Sequence, residues 1–311
     1  MQITELLNDE TVSYTISNAQ NKEDLILAGF FDLGKKGFYV DVGANDPVAD
    51  SVTKRFYDHG WSGINIEPIQ AHFNDLQRSR PRDINLNVGV ANKPGTLVLR
   101  EYTGSGLSTF SDKMKKEYES NKSSLTDDYN DYEVPVKKLS DIFFENKVKK
   151  IDFMKVDVEG YEYDVLASND WKQYRPRVLC IESNHIENDW RPILLNNSYK
   201  KEFFDGLNEY YVDSKASGLK QFSYVESVVS NQPIITNQLL LLLEEKVGAR
   251  LFELEESLEK CDKWVGALEY HKNLLIKELD TINNMSFIKR ITLLPGQAIE
   301  SIKNNRAKGL K

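Results

Sequence analysis

The feature that most limits what this chain can fold into is a series of short apolar runs, several of which close on an acid or an amide. They cover residues 37–42, 63–67, 84–90, 96–102, 151–158 and 177–182. Most are rich in Val and Ile, and several are almost continuously apolar, the pattern of strands buried on both faces of a sheet. Helical patterns fall between some of them, over 51–59 and 69–77. Strand–helix–strand alternation predicts an α/β fold with a parallel sheet and crossover helices. The segment 103–131 breaks the rhythm. It opens Gly104-Ser105-Gly106-Leu107-Ser108-Thr109 and continues Lys/Glu/Asp/Ser-rich. A loop this long in a compact domain is usually functional. It reads as an active-site lid or substrate loop, or else as a solvated insertion carrying a short helix.

The chain has 311 residues, 40 % hydrophobic and 28 % charged, which is globular composition with room for a domain and an appendage. Its net charge of −8 argues against a nucleic-acid partner. The expected division is a catalytic domain over 1–236, a coiled-coil helix over 237–284 and a basic amphipathic tail over 285–311. The coil is read from Leu251, Leu258, Val265, Lys272 and Leu279 as a positions, interleaved with Leu254, Cys261, Leu268, Leu275 and Ile282. It predicts a homo-oligomer, with Lys272 fixing register; the alternative is a long amphipathic helix packed back onto the α/β domain. The tail sets Lys289, Arg290, Lys303, Arg306, Lys308 and Lys311 against the single acid Glu300, a composition suited to an anionic membrane surface. The N-terminus shows no basic region followed by an apolar one, and the purest apolar run, 239–243, is far too short to span a bilayer. The expected location is cytoplasmic, with two readings of the tail left open: contact with the inner face of the membrane, or a tail that is merely solvated and frayed. Cys180 and Cys261 read as small buried hydrophobes.

Chemistry concentrates at the strand ends. The first strand closes on Asp41-Val42-Gly43-Ala44-Asn45. Ligands in open α/β sheets bind at the carboxyl ends of the strands, and Gly43 lets backbone approach where a side chain would block. The chain lacks a three-glycine dinucleotide turn and a phosphate-binding Gly-Lys loop, so a nucleoside without pyrophosphate fits better than NAD. Glu67, 24 residues after Gly43 and followed by Pro68, is placed to accept from two ribose hydroxyls. Two later strands close on Asp157-Val158-Glu159-Gly160 and on Glu182-Ser183-Asn184-His185. A parallel sheet gathers Asp157, Glu159, Glu182 and His185 around the crevice of Asp41 and Glu67. Such a ring can position a hydroxyl, supply a general base or hold a divalent cation; no residue is assigned to a metal. His185 and then Asp157 are the candidate bases, with Glu159 or Glu182 orienting base or substrate.

The set 40–45, Ile66-Glu67-Pro68 and Lys155-Val156-Asp157-Val158-Glu159-Gly160 resembles the FkbM family of S-adenosylmethionine-dependent methyltransferases. Gln20-Asn21-Lys22-Glu23-Asp24, Gly106-Leu107-Ser108 and Val134-Pro135-Val136 add to the likeness, which spans roughly 17–185. One departure is visible: Asp46-Pro47 stands where the family commonly has a residue followed by Gly. The resemblance implies a Rossmann-like class I methyltransferase sheet of seven strands, helices on both faces and the last strands antiparallel. It implies O-methylation of a small molecule, often a sugar or polysaccharide hydroxyl, with S-adenosylmethionine as cofactor. Asp41, Gly43, Ala44 and Asn45 would line its methionine side, Glu67 and Pro68 the ribose, Asn87 and Val88 the adenine. Two alternatives stay open: an inactive methyltransferase-like scaffold for glycan assembly, and a nucleotide-dependent sugar dehydrogenase.

Overall fold

A computed structural model describes residues 15–103, 107–121, 126–220 and 234–236. The expected coil, the basic tail and Gly104-Ser105-Gly106 lie outside the described residues. In chain order the elements are β1 (Thr15–Ser17), α1 (Glu23–Phe30), β2 (Phe38–Val42), α2 (Lys54–Asp58), β3 (Ser62–Ile66), α3 (Gln70–Ser79) and β4 (Ile84–Leu86). There follow β5 (Gly89–Val90), β6 (Gly95–Tyr102), β7 (Ser108–Thr109), α4 (Asp112–Asn121), β8 (Tyr129–Lys137) and α5 (Leu139–Glu145). The last are β9 (Phe153–Val156), α6 (Glu162–Ala167), β10 (Val178–Glu182), α7 (Arg191–Asn196), β11 (Tyr199–Phe204), β12 (Asn208–Asp213) and β13 (Ile234–Thr236).

Residues 18–227 form one compact unit, and residues 1–17 with 228–311 form another. The second contains a parallel pairing of β1 with β13. The first holds a seven-stranded sheet in the order β11-β12-β10-β9-β2-β3-β4. β10, β9, β2, β3 and β4 are mutually parallel. β12 is antiparallel to both of its neighbours. The expectation of antiparallel last strands therefore narrows to β12, since β11 returns to the common direction.

Alternation along the strands buries both faces of the sheet. Val40, Val42, Ile64, Ile66, Met154, Val156, Leu179 and Ile181 pack with Leu139, Ile142 and Phe143 of α5 and Val165 and Leu166 of α6 in one core. Tyr39 and Phe153 point the other way, where Phe153 meets Phe31, Phe56 and Trp61 with ring centroids 4.4–6.1 Å apart. Each fully buried side chain of this size contributes about 1.5–3 kcal/mol.

The strand expected over 84–90 is two strands. β4 belongs to the large sheet, while β5 joins β8, β6 and β7 in a separate four-stranded sheet. Asn87 marks the break, donating its side-chain amide to the carbonyls of Glu67 (3.0 Å) and Pro68 (2.9 Å). The strand expected over 96–102 is β6 of this smaller sheet, paired antiparallel with β8.

Candidate active site

The sheet register determines which residues meet. Val42 pairs with Ile66 on one side and Val156 on the other, and Val156 pairs with Ile181. The next residue of each strand is Gly43, Glu67, Asp157 and Glu182, so these four stand in one row at the carboxyl edge.

Gly43 has φ +79°, and a Cβ there would lie 1.9 Å from the Asp157 carbonyl oxygen. The close approach that requires glycine is thus to the neighbouring strand end. The N–H groups of Gly43 and Ala44 both donate to the Ile66 carbonyl (3.1 and 3.2 Å). Asn45, at φ +49°, donates its N–H to Glu67 Oε2 at 2.8 Å. Ile69 N–H donates to Glu67 Oε1 at 2.7 Å. Glu67 is buried, and burial raises its carboxyl against the pull of these two bonds. Asp46-Pro47 forms a turn of its own. Asp46 Oδ1 accepts the N–H groups of Val48 and Ala49, each at 2.7 Å, and the buried Arg80 guanidinium donates to the Pro47 carbonyl at 2.5 Å.

Asp41 is 1 % exposed. It lies beneath the loop and acts through its neighbours: Thr53 Oγ1 donates to Oδ2 at 2.9 Å, and Lys155 Nζ is 3.7 Å from Oδ1. Burial pushes the Asp41 carboxyl up, opposed by Lys155. Lys155 also donates to the Gly43 carbonyl at 2.9 Å and pairs with Asp157 at 3.3 Å. Burial would lower its ammonium; the charges of Asp157 and Asp41 outweigh it and hold the group above its usual range.

One oxygen each of Asp157, Glu159 and Glu182 lies within 4.8 Å of the others. Burial, then the charges of Asp157 and Glu159, push Glu182 up to about 11. Burial and Asp157 raise Glu159 to about 7, opposed by a hydrogen bond from Tyr118. Tyr118 belongs to α4, inside the segment expected to form a lid. Its hydroxyl donates to Glu159 Oε2 at 2.8 Å, and its ring stands edge-on to His185 with centroids 5.9 Å apart. Thr109 Oγ1 donates to the Glu159 carbonyl at 2.7 Å. The structure therefore sets His185 against Tyr118, whose hydroxyl reaches Glu159. Asn87 serves the loop after β3, and Val88 packs at the edge of the core.

Lys155 and Tyr118 escaped the sequence reading. Lys155 carried a signal, because a lysine inside an apolar strand needs a buried partner. Tyr118 carried none, since its helix is polar and its partner lies 41 residues away.

A parallel sheet with one reversed strand near its edge, a glycine turn after β2 and a carboxylate after β3 define a Rossmann-like nucleoside-binding fold. The family model described as the methyltransferase FkbM domain matches residues 41–210, more than half of the chain, and the chain belongs to that family. No curated protein matches it. Among solved structures it is similar to the methyltransferase FkbM of Methylobacillus flagellatus, at 13 % identity and TM-score 0.36, covering 58 % of this chain and 44 % of that one. The chain thus spans less than half of that protein. It is also similar to a TehB-like SAM-dependent methyltransferase of Corynebacterium glutamicum, at 9 % identity and TM-score 0.33, covering 62 % and 87 %. The fibrillarin pre-rRNA processing protein of Methanococcus jannaschii stands at 15 % identity and TM-score 0.34, covering 62 % and 74 %.

The family's cofactor is S-adenosylmethionine, and the donor set here fits it. Each Glu67 oxygen keeps a lone pair beyond the N–H it accepts, as a ribose diol requires. Half-buried Gly43 and Asn45 border the crevice. The carboxylates at its far side suit a cationic sulfonium.

Proposed function

We propose that the chain is an O-methyltransferase acting on a hydroxyl of a sugar, a polysaccharide or a related small metabolite. The supporting observation is a cavity of about 550 Å³ that opens beside Gly160. The Phe110 and Tyr161 rings on its wall have centroids 5.6 Å apart. Ser111, Asp112, Lys115, Asp164, Glu187 and Asn188 supply polar groups around them. Ring faces to cover C–H surfaces, with carboxylates and an amide to take hydroxyls, suit a polyol.

When bound, S-adenosylmethionine supplies an electrophilic methyl on a good leaving group. The chain's own part is alignment and proton removal. Glu67 holds the ribose side, while Lys155 and Asp41 keep the Gly43 turn in place. His185 takes the proton of the acceptor hydroxyl, with Asp157 as the alternative base. The inactive-scaffold reading is the rival. The coil over 237–284 is proposed to make a homo-oligomer and the basic tail to touch an anionic membrane surface. Light scattering of the full chain against one ending at 236 tests the first; an unchanged particle mass per chain would reject it. No helix among the described residues is long and apolar enough to cross a membrane.

The test is calorimetric titration with S-adenosylmethionine and S-adenosylhomocysteine beside NAD, followed by an acceptor screen. Binding of the sulfur nucleosides alone is expected. His185→Ala should cut turnover at least ~10-fold with cofactor affinity near wild type. A folded protein that binds neither sulfur nucleoside would overturn the proposal in favour of the scaffold.

A further inference from the structure

Three carboxylates brought within 4.8 Å need something positive among them. The obvious cation does not serve all three. Lys155 pairs with Asp157 and Asp41. Among the described residues, no lysine, arginine or histidine pairs with Glu159 or Glu182. Tyr118 satisfies one oxygen of Glu159. Glu182 is different: it is 8 % exposed, and its Oε2 is buried without any hydrogen-bond partner. A buried, unpartnered carboxylate oxygen costs about 1–3 kcal/mol or more for a charged group. This one belongs to a side chain that reaches into the cluster.

We propose that Asp157, Glu159 and Glu182 form a binding site for one hard divalent cation at the carboxyl edge of β9 and β10. Once the ion displaces their protons, the three carboxylates give an all-oxygen, trianionic ligand set, which selects calcium, manganese or magnesium over zinc or copper. Calcium accepts flexible sets of oxygen ligands, whereas magnesium demands near-ideal octahedral geometry and gives up its water reluctantly, so the cluster favours the larger ion. The Asp157 side chain is 36 % exposed, which leaves the ion a face for water or a ligand hydroxyl. A hydroxyl on such an ion loses its proton more readily. The cation would therefore act at the same edge as His185, and only this last consequence rests on the methyltransferase reading.

A shared proton between Glu182 and Asp157 is the competing way to relieve the repulsion, and it predicts that no ion binds. The experiment is titration of the full chain with Mn²⁺, read by electron paramagnetic resonance and by calorimetry, with Ca²⁺ and Mg²⁺ as competitors and no nucleoside present. One site per chain is expected, displaced more readily by Ca²⁺ than by Mg²⁺. Glu182→Gln removes a ligand charge at constant shape and should weaken Mn²⁺ at least tenfold. Exposed Glu133→Gln on β8 should leave it unchanged. Saturating Mn²⁺ should also raise the melting temperature of wild type and not of Glu182→Gln. Folded wild type that binds no Mn²⁺ at millimolar concentration, or binding that Glu182→Gln leaves intact, overturns the site. Because no nucleoside is present, this failure is distinct from a failure to bind S-adenosylmethionine.

Discussion

Replacing Gly43 with Ala separates two costs that glycine positions often combine. Gly43 and Gly60 have nearly the same backbone, φ +79° and +83°. At Gly60, which follows α2, an added Cβ meets nothing within 4 Å; at Gly43 it meets the Asp157 carbonyl at 1.9 Å. Gly60→Ala therefore carries only left-handed strain, about 1–2 kcal/mol. Gly43→Ala carries the same strain and a collision with backbone. Ordinary van der Waals contact begins near 3.4 Å, so the ends of β2 and β9 must part by about 1.5 Å. That stretches the bond from Asp157 N–H to the Val42 carbonyl, 3.1 Å, and the one from Lys155 to the Gly43 carbonyl, 2.9 Å. Losing both adds about 1 kcal/mol for the backbone bond and about 1.5–3 for the charged one. The expected totals are about 1–2 kcal/mol for Gly60→Ala and about 4–6 for Gly43→Ala. For a unit of this size each kilocalorie lowers the melting temperature by about 2–4 °C. Urea unfolding with thermal melts of both variants is the assay. Equal losses in the two variants would show that the Asp157 contact is not rigid and would refute the reasoning.

Lys155→Met keeps the length of the side chain and removes the charge beneath the Gly43 turn. With Asp41 and Asp157 left unpaired, it should cost about 3–5 kcal/mol in urea at pH 7. A loss below 1 kcal/mol would show that Lys155 is not their essential counterion. Glu209 gives a pH test away from the site. Burial would raise its carboxyl, but Arg191, Lys201 and Tyr211 pull it down to about 2 from an ordinary 4.5. A depressed carboxyl stabilises above pH 4.5, and that contribution fades as pH falls toward 2. The full shift corresponds to about 3 kcal/mol, and screening around the partly exposed Arg191 and Lys201 reduces it to about 1–2. Wild type should lose that much more stability than Glu209→Gln between pH 5 and 2.5; parallel pH curves would reject the ion pair as the cause.

The large sheet was legible because buried parallel strands must be almost continuously apolar, as at 37–42 and 151–158. The row Gly43, Glu67, Asp157 and Glu182 was legible because each residue directly follows such a run. The break at Asn87 was not: residues 84–90 read as one strand, and only the side-chain bonds to Glu67 and Pro68 divide it. The burial of Asp41 was hidden for a similar reason. An acid at a strand end signals a site, but whether it faces the crevice or lies under it depends on Thr53 and Lys155. Tyr118 joins the site through the fold of 107–121 against Glu159, a long-range contact that local periodicity does not encode.

The alignment of the strand-end row has an evolutionary consequence. Its residues are set by hydrogen-bonded pairing between strands, and no loop length enters that alignment. A lineage can lengthen, shorten or replace the connections, including the whole stretch between β5 and α5, and the acids still arrive side by side. A one-residue slip within a strand would instead turn its acid to the opposite face. Loop insertions are thus the inexpensive route to new acceptors, and single-residue insertions or deletions inside β2, β3, β9 or β10 are a closed one.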